Sequence, residues 1–163
     1  GEANAVALAE MARQAAADRG MEFVESTVVN SSEVRTATQS IVDRVDVFYV
    51  STDNTVVSAL TALTDVANAA GVPVVSADAT SAEGTGVLAA LGFDYYKHGR
   101  ATGRLVADVL QGTDPADIPV MMMTDPGDLD LFINLDVADD IGVDVPTDVV
   151  DRAAIIYENG ALR

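Results

Sequence analysis

The sequence predicts an α/β domain, a three-layer αβα sandwich around a mainly parallel sheet. Two runs rich in valine and aromatic residues, VDVFYV (45–50) and VPVVSA (72–77), suit strands buried on both faces. Between such runs lie alanine- and leucine-rich stretches with helical spacing. The connections are short, the pattern of βαβ units with right-handed crossovers.

The elements follow in order. Asn4 is placed as the N-cap of a first helix, whose apolar face of Val6, Leu8, Met11 and the alanines to Ala17 is ended by Gly20. MEFVESTVV (21–29) alternates as a strand does. Asn30 and Glu33 form a capping-box pattern that opens a helix through Ile41 and Val42. After strand 45–50 a helix is expected from Asp53 to Ala70, then the strand VPVVSA. A further strand is expected over 86–92, and a helix from Lys97 to Leu110 that stops at Gly112.

TDPADIPVMMMTDPGDLD holds three of the five prolines and reads as a connection between substructures, with a short extended piece at Val120–Met123. LDLFINL is a strand candidate and VADDIGV a short helix, while 145–163 is weakly patterned.

Composition narrows the function classes. The chain has 163 residues and a net charge of -17, from 26 acidic residues against nine basic ones, of which Lys97 is the single lysine. Such a surface repels phosphate backbones, so no nucleic-acid partner is expected. With no cysteine there is no thiol nucleophile or cysteine-metal site.

Enzyme signatures fail in turn. GTGVLA (84–89) fits a minimal dinucleotide pattern but does not start directly at the end of a strand. Lys97 is followed by His98, so there is no phosphate-binding loop, and no Gly-x-Ser-x-Gly elbow occurs. His98, with Lys97 and Arg100, reads as a solvated basic patch. Asp125, Asp128 and Asp130 lack the spacing of a calcium loop. No catalytic set, metal or cofactor is expected.

Ligands of open parallel sheets bind beyond the carboxyl ends of the strands. Three segments meet that description: residues 1–5, 51–54 and 76–81. Thr52, Asp53 and Asn54 offer a hydroxyl, a carboxylate and an amide, and Asp78 a carboxylate for a ligand ammonium. For Thr52, Asp53 and Asp78 a second reading stays open, that of plain helix or turn capping.

The segments GEANAVAL, VDVFYVSTDNTVVSAL, GVPVVSAD, LAALGFDYYKHGRATG, PADIPV and LFINLDVADDIGV occur in this order. They resemble the substrate-binding proteins of ABC importers, of the tryptophan- and tyrosine-uptake type. The resemblance implies a type I periplasmic-binding-protein-like lobe, two of which close on a ligand as a hinged clamp. It places Glu2, Asn4, Thr52, Asp53, Asn54 and Asp78 at the ligand, and Asp94, Tyr95 and Tyr96 at the hinge. Residues 1–118 are then expected to form the second lobe, and 119–163 a crossover and return towards the first.

The implied function is capture of an aromatic amino acid for an ABC permease, without catalysis or cofactor. The alternative is an α/β sensor or enzyme of the same architecture. The resemblance further implies an extracytoplasmic, membrane-anchored lipoprotein as the full-length parent. Family members carry a first lobe and a strand ending in Tyr-Asn-Pro ahead of the residues matching GEAN, so the chain is expected to be a fragment. Two copies are then expected to be able to pair along an exposed sheet edge. Ala5 replaces the serine usual in the family and removes a hydroxyl from the first loop.

Overall fold

The computed structural model describes residues 2–163. Its centre is one six-stranded sheet in the order β1 (Phe48–Val50), β2 (Val74–Ser76), β3 (Ala89–Phe93), β4 (Leu129–Asn134), β5 (Ile155–Glu158) and β6 (Ala161–Leu162). Three of the five pairings, β1–β2, β2–β3 and β4–β5, are parallel. β3–β4 and β5–β6 are antiparallel. The α/β class and the mainly parallel sheet are as expected.

Seven α-helices surround it: α1 (Ala3–Ala17), α2 (Val34–Ile41), α3 (Asn54–Val57), α4 (Leu60–Ala69), α5 (Tyr95–Leu110), α6 (Leu135–Ile141) and α7 (Thr147–Val150). Strand register sorts the side chains by face. Phe48, Val74, Ala90 and Phe132 share one face with Val50, and they meet Val34 of α2 and Leu60, Leu63 and Ala67 of α4 in the main core. Each large side chain buried there contributes about 1.5–3 kcal/mol. The opposite face leaves Tyr49, Leu91 and Phe93 exposed, so the other helical layer of the sandwich does not close over β1 and β3.

Several elements differ from the sequence expectation. Residues 21–29 join no ladder: a strand exists only with a neighbour, and β1 pairs on one side only, with β2. The segment is instead held by side chains: Val28 packs on the core, and the Arg13 guanidinium lies 4.6 Å from the Phe23 ring centre. The long helix expected from 53 to 70 is broken between α3 and α4 at Ala59, whose φ of -122° leaves the helical region. The strand expected over 86–92 starts at Ala89, because Gly84 and Gly86 take positive φ in a turn ahead of it. The Thr64 hydroxyl donates to the Thr85 carbonyl, and Asn68 Nδ2 to the Gly86 carbonyl at 2.9 Å, clamping that turn to α4. GTGVLA is thus a turn followed by a strand.

The boundary expected at 118/119 does not divide the sheet. β4, β5 and β6 all lie beyond it and continue the sheet begun by β1–β3. Residues 145–163, unpatterned in sequence, supply α7 and the β5–β6 hairpin, which is pinned to α6 by the Asp136 carboxylate accepting from the N–H groups of Asn159 and Gly160.

Candidate ligand-binding site

Because β1, β2 and β3 are parallel, their carboxyl ends lie along one edge of the sheet. The loops after β1 and β2 both emerge there.

Asp53 is the N-cap of α3. Its Oδ1 accepts from the N–H groups of Thr55 and Val56 at 2.9 and 3.2 Å, and its side chain is 6% exposed. The capping reading therefore describes Asp53, which holds the loop in shape. The Thr52 carbonyl accepts from Asn4 Nδ2 at 2.8 Å. Asn54 Nδ2 donates to Glu2 Oε1 and Oε2 at 2.9 and 3.3 Å. Asn4, expected as the cap of α1, is thus a cross-link, and Glu2 takes the cap position without a side-chain capping bond. Glu2, Asn4, Thr52, Asp53 and Asn54 form one cluster that ties the start of α1 to the end of β1.

Asp78 sits one strand further along the same edge. Its Oδ1 accepts from the N–H and hydroxyl of Thr80 at 3.0 and 2.7 Å, and its own N–H donates to the buried Ser76 hydroxyl at 3.1 Å. Oδ2 makes no hydrogen bond among the described residues. Nor does Asp78 bond to the Glu2–Asn54 cluster; the two are separate groups on a shared edge.

Sequence reasoning missed Gly92, which supports this loop. A Cβ on Gly92 would stand 2.8 Å from the Ala79 nitrogen and 2.9 Å from the Ala77 oxygen, so the Asp78 loop lies directly on the backbone of β3. An isolated glycine in a strand is the signal that marks such a close approach.

The third expected group lies where β3 ends. Asp94 caps α5, its Oδ1 accepting from the Lys97 N–H at 2.9 Å, and its own N–H donates to the Asp128 carbonyl at 3.0 Å. Lys97 Nζ pairs with Asp94 Oδ2 at 2.9 Å and donates to the Gly127 carbonyl at 3.1 Å, joining the chain leaving the sheet to the chain returning. The Lys97 N–H and ammonium hold the Asp94 carboxyl below the usual carboxylate range, and the Asp94 carboxylate raises Lys97. Lys97 was not foreseen in this role. Tyr95 and Tyr96 stand exposed in the first turn of α5, which begins two residues earlier than expected, with the Arg100 guanidinium 5.8 Å from the Tyr96 ring centre.

With this geometry in hand, comparison with known proteins is informative. A family model described as ABC transporter substrate binding protein matches residues 1–156. A curated tyrosine-binding protein of Clostridioides difficile (strain R20291) is 38% identical over 115 residues, covering 71% of this chain and 32% of that protein. A crystal structure of a conserved domain protein from Vibrio cholerae is 39% identical with a TM-score of 0.86, over 96% of this chain and 51% of the other. The ABC domain from Streptococcus pneumoniae in complex with L-Trp is 25% identical with a TM-score of 0.83, over 94% and 50%. A ligand-free, open substrate binding protein with adhesive properties from Clostridium difficile is 30% identical with a TM-score of 0.69, over 90% and 48%. The chain therefore spans about half the length of these solved relatives and about a third of the curated one.

Proposed function

The chain belongs to the family of ABC transporter substrate-binding proteins, and on that premise we propose that it forms part of a non-catalytic solute receptor for an aromatic amino acid. The observation that supports this reading best is the placing of Glu2, Asn54 and Asp78, in a member of this family, along the carboxyl edge of the parallel strands. The tyrosine-binding relative and the L-Trp complex among the neighbours favour an aromatic ligand.

The chemistry fits a ligand with an ammonium group. The Glu2 carboxylate, steadied by Asn54, and the free Oδ2 of Asp78 are acceptors for an ammonium group. A single lobe offers half of the contacts, so tight binding belongs to a chain with two lobes that close on the ligand and exclude water. The same reading makes an ABC permease the partner and places the longer protein outside the cytoplasm on a lipid anchor. The open edge of β1 is where two copies of the chain would pair, and sedimentation at rising concentration tests that contact.

A thermal-shift screen of the amino acids against a two-lobed chain carrying this sequence tests the reading. Tyrosine or tryptophan should raise Tm, and Asn54→Ala and Asp78→Ala should remove the rise. No response to any amino acid sinks the proposed ligand class. Conversion of a ligand on incubation sinks the non-catalytic reading.

A further inference from the structure

The β5–β6 hairpin turns on Asn159 and Gly160. Glu158 and Ala161 face each other as the pair that closes it, and both turn residues have positive φ, 55° at Asn159 and 74° at Gly160. This is a type I′ turn, for which Asn-Gly is a preferred sequence. Among the described residues Asn159 is the only non-glycine with positive φ, and it is exposed. Because β4 and β5 run antiparallel to β3, the turn lies on the edge of the sheet opposite the loops after β1 and β2. The ligand-binding reading makes no use of it.

An asparagine followed by glycine carries chemistry of its own. The Gly160 nitrogen attacks the Asn159 side-chain carbonyl: the N–Cγ bond forms, the Cγ–Nδ2 bond breaks, and Nδ2 leaves as ammonia with the proton that the Gly160 N–H gives up. Water then opens the cyclic imide at either carbonyl, yielding aspartate or isoaspartate. Glycine in the second position leaves the attack unhindered, having no side chain. Of the asparagines in the chain, only Asn159 precedes a glycine.

The fold holds this reaction back at two points. In the left-handed conformation ψ is about +47°, which sets the Gly160 nitrogen trans to Cβ across the Asn159 Cα–C bond. Ring closure needs that nitrogen eclipsed with Cβ, so the peptide must turn over first. The second point is Asp136, in the first turn of α6, whose Oδ1 accepts from the Asn159 N–H at 2.7 Å and whose Oδ2 accepts from the Gly160 N–H at 2.8 Å. Turning the peptide pulls the Gly160 N–H off that carboxylate. The atom that must attack is the atom that Asp136 holds.

We propose that Asn159 is a deamidation site of this chain and that Asp136 is the latch that sets its rate. The product does not restore the latch. Isoaspartate lengthens the main chain of a tight turn, and either product puts a carboxylate on the residue that Asp136 grips, in a chain already at -17. The hairpin then comes away from α6, and β6, which pairs with β5 alone, frays with it. None of this needs a ligand, a permease or a second lobe.

Incubation of the 163-residue chain at mildly alkaline pH, followed by peptide mapping, tests the proposal. Mass spectrometry reads each deamidation as a gain of about one mass unit and assigns it to a residue. In guanidinium chloride Asn159 should be modified fastest of the asparagines, and in the native chain about a hundredfold more slowly than that. Asp136→Ala should recover about tenfold of the native rate and leave the denatured rate unchanged, the rest of the protection belonging to the turn. Asp136→Asn, which keeps one acceptor oxygen, should lie between. Slow hydrogen exchange of the β3 and β4 amides in both variants shows that the sheet still folds. The isoaspartyl form, separated by charge, should lose protection at the amides of Asn159, Gly160 and Arg163. Equal native and denatured rates, a native rate that neither variant changes, or faster modification of another asparagine in denaturant overturns the proposal. So does a slower rate in Asp136→Ala, because the carboxylate is then a base that activates the attacking nitrogen.

Discussion

In α4 the apolar positions Leu60, Leu63 and Ala67 fall on one stripe, meet α2 and β2, and are buried. α5 is longer, 16 residues against 10, has a stripe of its own, and buries nothing. Periodicity states which side of a helix is apolar; it does not state where the matching surface lies. For α4 that surface is the strand that follows within the same βαβ unit. For α5 no such surface follows: the helix leaves the end of β3 at Asp94, and His98 stacks on Phe93 of β3 at 6.4 Å between ring centres without burying any residue of the helix.

The comparison predicts opposite responses to similar mutations, and the core gives the largest. Phe132→Ala, at a fully buried position, should lower stability in urea unfolding by about 3–5 kcal/mol. Leu110→Ala on α5 should change it by less than about 0.5 kcal/mol in the same chain. Similar losses at both sites would show that α5 is packed and break the contrast.

Glycines give the next effect, with opposite signs. Gly92→Ala forces a Cβ into the backbone of Ala77–Ala79, and should cost about 1–3 kcal/mol. It should also weaken ligand binding by a two-lobed chain, because the Asp78 loop moves. Gly103→Ala lies in the interior of α5 with nothing within 4 Å, and should gain about 0.5–1 kcal/mol from helix propensity. A gain at Gly92 would remove the reason given for that glycine.

The smallest effect is at Asp94. The folded-state value of Asp94 is lowered, so above the ordinary carboxylate range the folded chain keeps the full benefit of the cap and ion pair. As pH falls from about 4 through the lowered value, the unfolded chain takes up the proton first and that benefit is lost. Amides of 95–98 should therefore fray on acidification below about pH 4, and Asp94→Asn should flatten that dependence. Fraying that begins near neutral pH would point to a different group.

Much of the sheet was legible, for physical reasons. β1, β2 and β4 are valine-, phenylalanine- and isoleucine-rich because one face of each packs into the main core. Residues 21–29 carry an equally good pattern and still join no sheet, since pairing is a property of two segments and the sequence shows only one. β5 hid for the opposite reason: its residues are all half-buried, so no contrast marks it. The polar loops after β1 and β2 announced the candidate site through small polar residues directly after apolar strands. Local sequence could not tell that Asp53 caps α3 through Oδ1 and accepts from the Glu2 N–H at Oδ2 while Glu2 and Asn54 bond each other, because that choice depends on contacts between residues more than 50 positions apart. Gly92 and Lys97 were missed because each acts across the chain, on a neighbouring loop and on the turn at Gly127 that leads back into β4.

The central claim is a receptor whose carboxyl-edge loops hold half of an aromatic amino acid's contacts. Calorimetric titration with L-tyrosine and L-tryptophan, run on the 163-residue chain and on a two-lobed chain carrying it, tests this most directly. The account predicts no detectable heat of binding for the shorter chain, and tight binding by the two-lobed one that Asp78→Ala and Asn54→Ala abolish. Sub-micromolar binding by the shorter chain, or tight binding by the two-lobed chain that survives both substitutions, would contradict it.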